Sequence, residues 1–191
     1  MAKIFGIQLK NVKQFTGWEG YGVNASVYLD GKRIGTFNDR ADGGPLDLDC
    51  DTKEAEEALL ARMREYFKAN PEVDSLELWQ NRKKYKNGNY PYTSYEKKED
   101  EELMVGVFFG KLQKMLDLEK LYKQYAKKYN GFAIVDFDFI HTGDCPIPRD
   151  STYVVVDKEE AFTEVRNKVE AINKNYTMDV YRTLADFEVV A

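Results

Sequence analysis

The stretch AKIFGIQLKNVKQF sets Ile4, Gly6 and Gln8 against Phe5, Ile7 and Leu9. That is a poor amphipathic pattern and a fair one for a largely buried strand. Farther on, the run Val23 to Leu29 is followed by Asp30-Gly31 and then by Ile34 to Phe37. Two apolar runs flanking a D-G pair predict a hairpin, because the tight turns that match strand twist need positive φ at their central residues. The period then changes. Asp51 with Glu54 three residues later makes a capping box, and Ala55, Ala58, Leu59, Met63, Tyr66 and Phe67 recur at helical spacing until Asn70-Pro71 ends them. This predicts a helix over 52–68 with Asp51 as its N-cap.

Residues 75–80 (SLELWQ) suit a short strand or a turn of helix, and 81–98 carry no period but hold Gly88 and Pro91, so they read as a loop. A long helix follows over 99–129, with Leu103, Val107, Phe108, Leu112, Met115, Leu118, Tyr122 and Tyr125 on a wide apolar stripe. Gly106 and Gly110 are its weak points, at about 1 kcal/mol each against alanine, where a kink or break is expected unless another backbone packs closely. The last third reads as strand 132–140, a polar loop, strand 152–156, helix 158–173 opened by Asp157 and Glu160, and a final strand near 177–189. The expectation is a single α+β domain over 1–191, an antiparallel sheet with an N-terminal β-hairpin covered by about three helices.

A chain of 191 residues with 43% hydrophobic and 14% aromatic residues buries a real core and is globular. Two cysteines far apart, Cys50 and Cys145, and no apolar leader point to free thiols and a cytoplasmic protein, and no apolar run is long enough for a bilayer. Net charge is −5, but unevenly laid out. Ten basic residues face fourteen acidic ones in 1–81, twelve face seven in 82–130, and six face twelve in 131–191. A basic middle between acidic ends bears on partners rather than on fold.

Three constellations are candidates for chemistry. In DFDFIHTGD, Asp136 and Asp138 alternate on one strand face, pointing toward solvent or a cleft, and with His141 and Asp144 they form a donor set suited to Mg²⁺ or Mn²⁺. Ordinary turn chemistry explains the same residues. Cys145, four residues from His141, is a possible nucleophile, opposed by the acids Asp144 and Asp150. The second group is NDRADGGPLDLDCD, where Asp39, Asp42, Asp47 and Asp49 make an acidic patch suited to a basic surface. The surrounding acids argue against Gly43-Gly44 as a phosphate cradle. The third is the loop QNRKKYKNGNYPYTSYEKK. Arg82, Lys83, Lys84 and Lys86 are interleaved there with Tyr85, Tyr90, Tyr92 and Tyr95, offering charge and rings for a protein contact or for stacking. The acidic total argues against a dedicated nucleic-acid binder. No G-x-x-x-x-G-K-[ST], G-x-S-x-G, H-E-x-x-H or C-x-x-C element is present, and one histidine excludes a multi-His metal site.

Residues 21–45, YGVNASVYLDGKRIGTFNDRADGGP, resemble small uncharacterised accessory proteins of phages and mobile elements in low-GC bacteria. The resemblance implies an anti-defence class of protein, of which anti-CRISPR proteins are one kind, and transfers no functional residue. The expected function is a non-enzymatic inhibitor or adaptor without cofactor, whose acidic surfaces and basic tyrosine-rich loop bind a host nuclease or other nucleic-acid-handling protein. Two alternatives stand beside it: a Mg²⁺- or Mn²⁺-dependent enzyme acting on a nucleotide or other phosphate substrate, and a small-molecule binder that stacks a base on the loop tyrosines.

Overall fold

Two tight turns organise the N-terminal third. Phe5-Gly6 (φ 49 and 82°) and Asp30-Gly31 (φ 49 and 84°) each join directly paired strands, Ile4 to Ile7 and Leu29 to Lys32, as type I′ geometry allows. The computed structural model describes residues 1–18, 20–42, 46–70, 98–139, 151–157, 159–172 and 176–190. The buried N-terminal run is therefore two strands, β1 (Lys3–Ile4) and β2 (Ile7–Gly17), followed by the expected hairpin of β3 (Gly20–Leu29) and β4 (Lys32–Asp39) and by β5 (Asp47–Cys50). Gly6 suits its place, since its φ of 82° strains any L side chain and a Cβ there would also push the Asp30 carboxylate aside. The two turns are bonded to each other, Asp30 N–H to the Gly6 carbonyl at 2.9 Å. Arg62 of the first helix donates to the Phe5 carbonyl at 2.9 Å.

That helix is α1 (Lys53–Ala69), and its N-cap is Thr52, whose hydroxyl accepts from the Ala55 N–H. The capping residue is thus one later than the expected Asp51, because Asp51 is held instead by Arg33 at 3.0 Å. The second helix, α2 (Lys98–Tyr125), runs without the break expected at its glycines and stops four residues short of 129. A Cβ on Gly106 would meet Leu46 at 2.7 Å, so this glycine admits Leu46 against the helix. The remaining elements are β6 (Ala133–Phe139), β7 (Ser151–Val156), α3 (Glu159–Ile172), β8 (Tyr176–Tyr181) and β9 (Glu188–Val189). The final strand expected over 177–189 is split. Thr183 caps a 3-10 turn, Leu184–Phe187, in which Asp186 accepts back from the Thr183 N–H, and this box ends β8.

The fold is α+β. Sheet 1 has the order β5-β4-β3-β2-β1-β9 and sheet 2 the order β7-β6-β8. The pairings are antiparallel, as expected, apart from the two-residue parallel pairing of β1 with β9. One buried cluster links Ile7, Val27 and Phe37 of sheet 1, Leu59 and Tyr66 of α1, Phe108 and Phe109 of α2, and Ile134 and Tyr181 of sheet 2. Helix α2 therefore lies between the two sheets, which is why Met104, Phe109 and Leu116 are buried as well as Phe108, Leu112, Met115 and Leu118 of the stripe read from the sequence. The opposite face of sheet 2 carries Val135 and Val156, packed with Phe162 and Val165 of α3.

A bulge in β2 decides which side chains face out at its far end. Lys10 opposes Ser26 and Lys13 opposes Asn24, so two residues, Asn11 (φ 55°) and Val12, lie where one would fit. An extra residue reverses the side-chain alternation beyond it. Ile7 and Leu9 point to the helices before the bulge. After it the even positions do, with Val12 packed on the core and Gln14 donating to Asp117 of α2 at 3.3 Å. Phe15 is thereby turned to the outer face.

Candidate functional site

Of the carboxylate pair on β6, expected to point toward solvent or a cleft, Asp136 does not face solvent. Asp136 is 3% exposed and lies on the α2 side of sheet 2, where Lys114 reaches it at 2.6 Å. Its cross-strand partner on β8 is Asp179, held by Lys111 at 2.7 Å. Like charges opposite one another destabilise a sheet. Two lysines one turn apart on α2 offset them, in a layer where an uncompensated charge is costly. A cation bound at Asp136 would have to displace the Lys114 ammonium. Asp138 continues β6, with its side chain outside the described residues, as are His141, Asp144 and Cys145. Among the described residues no group of three His, Cys, Asp or Glu is placed to hold a metal.

Part of the charge segregation along the chain is consumed in this way. Lysines of the basic middle, Lys111 and Lys114, are paired with aspartates of the acidic final third, and Arg64 of the first third pairs with Glu101 at 2.5 Å. The basic aromatic loop, with Arg82, Lys83, Lys84, Tyr85, Lys86, Tyr90, Tyr92 and Tyr95, lies outside the described residues, as do residues 75–80 and Gly43-Gly44.

The acidic segment 39–49 is described on either side of 43–45, and it is assembled at one corner of sheet 1. Asp39 ends β4 and accepts from the Ala41 N–H at 2.9 Å, while Ala41 takes φ 50° and turns the chain. Arg40 donates its Nε to Asp47 at 3.0 Å. This bond raises the guanidinium pKa, with Coulombic contributions from Asp47 and Asp42. Asp47 and Asp49 alternate along β5, opposite Asn38 and Thr36, and Asp49 is exposed. Among the described residues 38–42 and 46–50, four aspartates thus meet one arginine, so the corner stays net negative.

Against this corner stands the end of the β2–β3 hairpin. β4 accompanies β3 only as far as Val23, opposite Asp39. The hairpin continues through the pairs Phe15–Gly22, Thr16–Tyr21 and Gly17–Gly20, about 10 Å farther at ordinary strand rise. Its large side chains are exposed, Trp18 by 98%, Tyr21 by 78% and Phe15 by 41%. By strand alternation Tyr21 shares the helix-side face with Val23, Phe15 lies on the outer face and Trp18 sits at the end. The acidic segment is pressed to the same tip. A Cβ on Gly17 would lie 2.5 Å from the Arg40 carbonyl oxygen, and one on Gly22 would meet both the Asp39 carbonyl and the Phe15 ring at 2.5 Å. Reading the sequence by charge and motif missed Phe15, Trp18 and Tyr21. The signal was present in FTGWEGYG, where aromatics alternate with glycines beyond the last core position.

Other features are less suggestive of a reaction centre. Cys50 is free and half-buried. Burial first, then Glu56, Asp49 and Asp51, push its pKa up to about 11, so the thiolate needed for nucleophilic attack is scarce near neutral pH. A shallow cleft of ≈ 250 Å³ lies between Phe132, Val156, Phe162 and Arg182, with the guanidinium 5.3 Å from the Phe162 ring centroid. That is below the usual range for a small-molecule site, about 300–1,000 Å³. Among the described residues no helix is long and apolar enough to cross a membrane. No family model matches the chain, and comparison with curated proteins and with solved structures finds no match.

Proposed function

We propose that the protein is a non-enzymatic inhibitor or adaptor that binds a basic, nucleic-acid-handling host protein in the bacterial cytoplasm, as an accessory protein of a phage or mobile element would. The observation that carries this reading is the corner of sheet 1. There the 39–41 backbone packs on Gly17 and Gly22 at the foot of a protruding hairpin with three exposed aromatic side chains, and the acidic segment runs from Asp39 and Asp42 at that foot to Asp47 and Asp49 along β5. An acidic surface beside solvent-exposed rings suits a positively charged groove, which gains steering from the charge and affinity from burial of the rings. The tyrosine-rich basic loop 80–98 remains a second candidate contact on sequence grounds. The metal-dependent reading, with Asp136, Asp138, His141 and Asp144 binding Mg²⁺ or Mn²⁺, is weakened by the Asp136–Lys114 pair.

Native electrophoresis of mixtures with a panel of basic nucleases, across salt concentrations, tests the proposal. A complex that forms at low salt, weakens as salt rises and suppresses cleavage is the expected result. Replacing Asp39, Asp42, Asp47 and Asp49 together by Asn should weaken it. Absence of a complex with every basic nuclease tried would sink the reading. Mn²⁺ titration of wild type against Asp136→Asn with Asp138→Asn addresses the enzymatic alternative, which predicts binding lost in the double variant.

A further inference from the structure

The inference drawn here rests on the interaction reading above and names the chemistry that the hairpin recognises. We infer that the β2–β3 tip is an arginine-binding anchor, in which Trp18 and Tyr21 stack on guanidinium groups of an arginine-rich segment of the partner while Asp39 and Asp42 take its N–H groups.

The first ground is exposure without a structural role. Three large rings fall within seven residues of sequence, and Trp18 and Tyr21 bury almost nothing of themselves. A ring of this size removes about 150–250 Å² from water when covered. Single exposed apolar residues are ordinary, but a group on one protruding tip marks a contact surface. The second ground is support. The tip does not wave free of the molecule, because the 39–41 backbone packs on Gly17 and Gly22 and the Asp39–Ala41 hydrogen bond fixes the turn beneath it. Little ordering is then left to be lost on binding. The third is the charge next to the rings. Carboxylates beside aromatic faces fit a cation that is flat, weakly hydrated and able to give several N–H bonds. Those are properties of guanidinium, whereas the lysine ammonium is a compact, strongly hydrated point charge. The same corner already shows the pairing within the chain, in the bonds from Arg40 Nε and Nη2 to Asp47. Single-stranded nucleic acid would find rings to stack on, but its phosphates would meet the aspartates.

Trp18 itself supplies the readout. The chain has two tryptophans, so Trp79→Phe leaves Trp18 as the only one, and its melting temperature is compared with wild type as a folding control. This protein is titrated with nona-arginine, nona-lysine and an oligo-dT strand, following Trp18 emission and its quenching by acrylamide, with binding of fluorescein-labelled peptide measured in parallel. Nona-arginine should shield Trp18 and bind about tenfold more tightly than nona-lysine, with binding weakened by salt. In the labelled-peptide assay Trp18→Ala and Tyr21→Ala should each cost about tenfold at unchanged melting temperature, and Trp18→Phe should retain most of the affinity. If the peptide binds wild type and ring variants alike but fails with Asp39→Asn and Asp42→Asn combined, the acidic contact stands and the aromatic anchor falls. Equal response to arginine and lysine peptides, or shielding of Trp18 by oligo-dT instead, overturns the inference. No peptide binding at all removes it together with the acidic-contact reading.

Discussion

The interface of α2 with sheet 2 and the tip of the β2–β3 hairpin use side chains in opposite ways. In the first, a charged group is turned inward: Asp136 is buried opposite the half-exposed Asp179 on the next strand, and the two are held by Lys114 and Lys111. In the second, the groups that normally make a core are turned outward, Trp18 most completely. Burying ions and exposing rings are both unfavourable unless something compensates. At α2 the compensation is visible as two ion pairs within the fold. At the hairpin nothing among the described residues covers the rings, and that asymmetry is why the tip rather than the aspartates of β6 is taken as the functional surface.

The largest effect is expected at the α2 interface. Lys114→Ala leaves Asp136 buried beside Asp179 with one ammonium fewer, and should destabilise the protein by about 3 kcal/mol, at the low end for broken buried pairs because Lys114 retains some access to water. Urea denaturation measures it. Combining Lys114→Met with Asp136→Leu should recover most of the loss, since an apolar pair of similar volume removes the stranded charge. A single variant as stable as wild type would show that the pair lies at the surface in solution, and would return Asp136 to the candidates for metal binding.

How much of this was legible differs between the two regions for a physical reason. Period and turn chemistry announced the β3–β4 hairpin and α1 because those signals are local: Asp30-Gly31 needs only its own φ values, and Tyr66 and Phe67 fall on a stripe set by the helix itself. The two-sided burial of α2 was half legible. Its apolar residues were visible, but that a second sheet would cover Phe109 and recruit Lys111 and Lys114 depends on contacts made 22 to 68 residues away in sequence, to Asp136, Ile134 and Asp179. The outward face of β6 was misjudged for the same reason, since alternation gives two faces and cannot say that both are covered. At the other end, Phe15 could not be placed without the bulge at Asn11, whose side-chain reversal a single positive-φ residue brings about. The acidic segment was legible as charge, while its neighbour across the sheet corner was not.

Acid acts on a second inward carboxylate. Glu119 of α2 is another inward carboxylate, 3% exposed. Burial by itself would raise its pKa, but Lys123 at 2.6 Å, the N-terminal ammonium at 2.9 Å and the Ala2 N–H at 2.8 Å outweigh it and bring the pKa below the usual carboxylate value. A pKa lower in the folded than in the unfolded chain means that folding favours the ionised form. The stabilisation is therefore complete above the unfolded value, about 4.3, and is lost as pH falls from there through the folded value. Glu119→Gln should lower stability at pH 7 and flatten the acid limb of the stability profile measured by urea titration between pH 2 and 6. An unchanged acid limb would mean that Glu119 does not carry the coupling its contacts imply.

The smallest expected effect bears most directly on function. Trp18→Ala removes one of the chain's two tryptophan side chains, yet at 98% exposure it gives up almost no buried area, so the change in unfolding free energy should stay within about 0.5 kcal/mol, the range of ordinary surface substitutions. Thermal and urea denaturation check it. A loss of more than about 1 kcal/mol would mean that Trp18 packs against the body of the molecule in solution. In that case the rings would be part of the fold, the contrast with the α2 interface would disappear, and the hairpin would no longer be available as an anchor. Near-neutrality with binding weakened in the same variant would separate the two regions: one holds the molecule together, and the other is left exposed for a partner to cover.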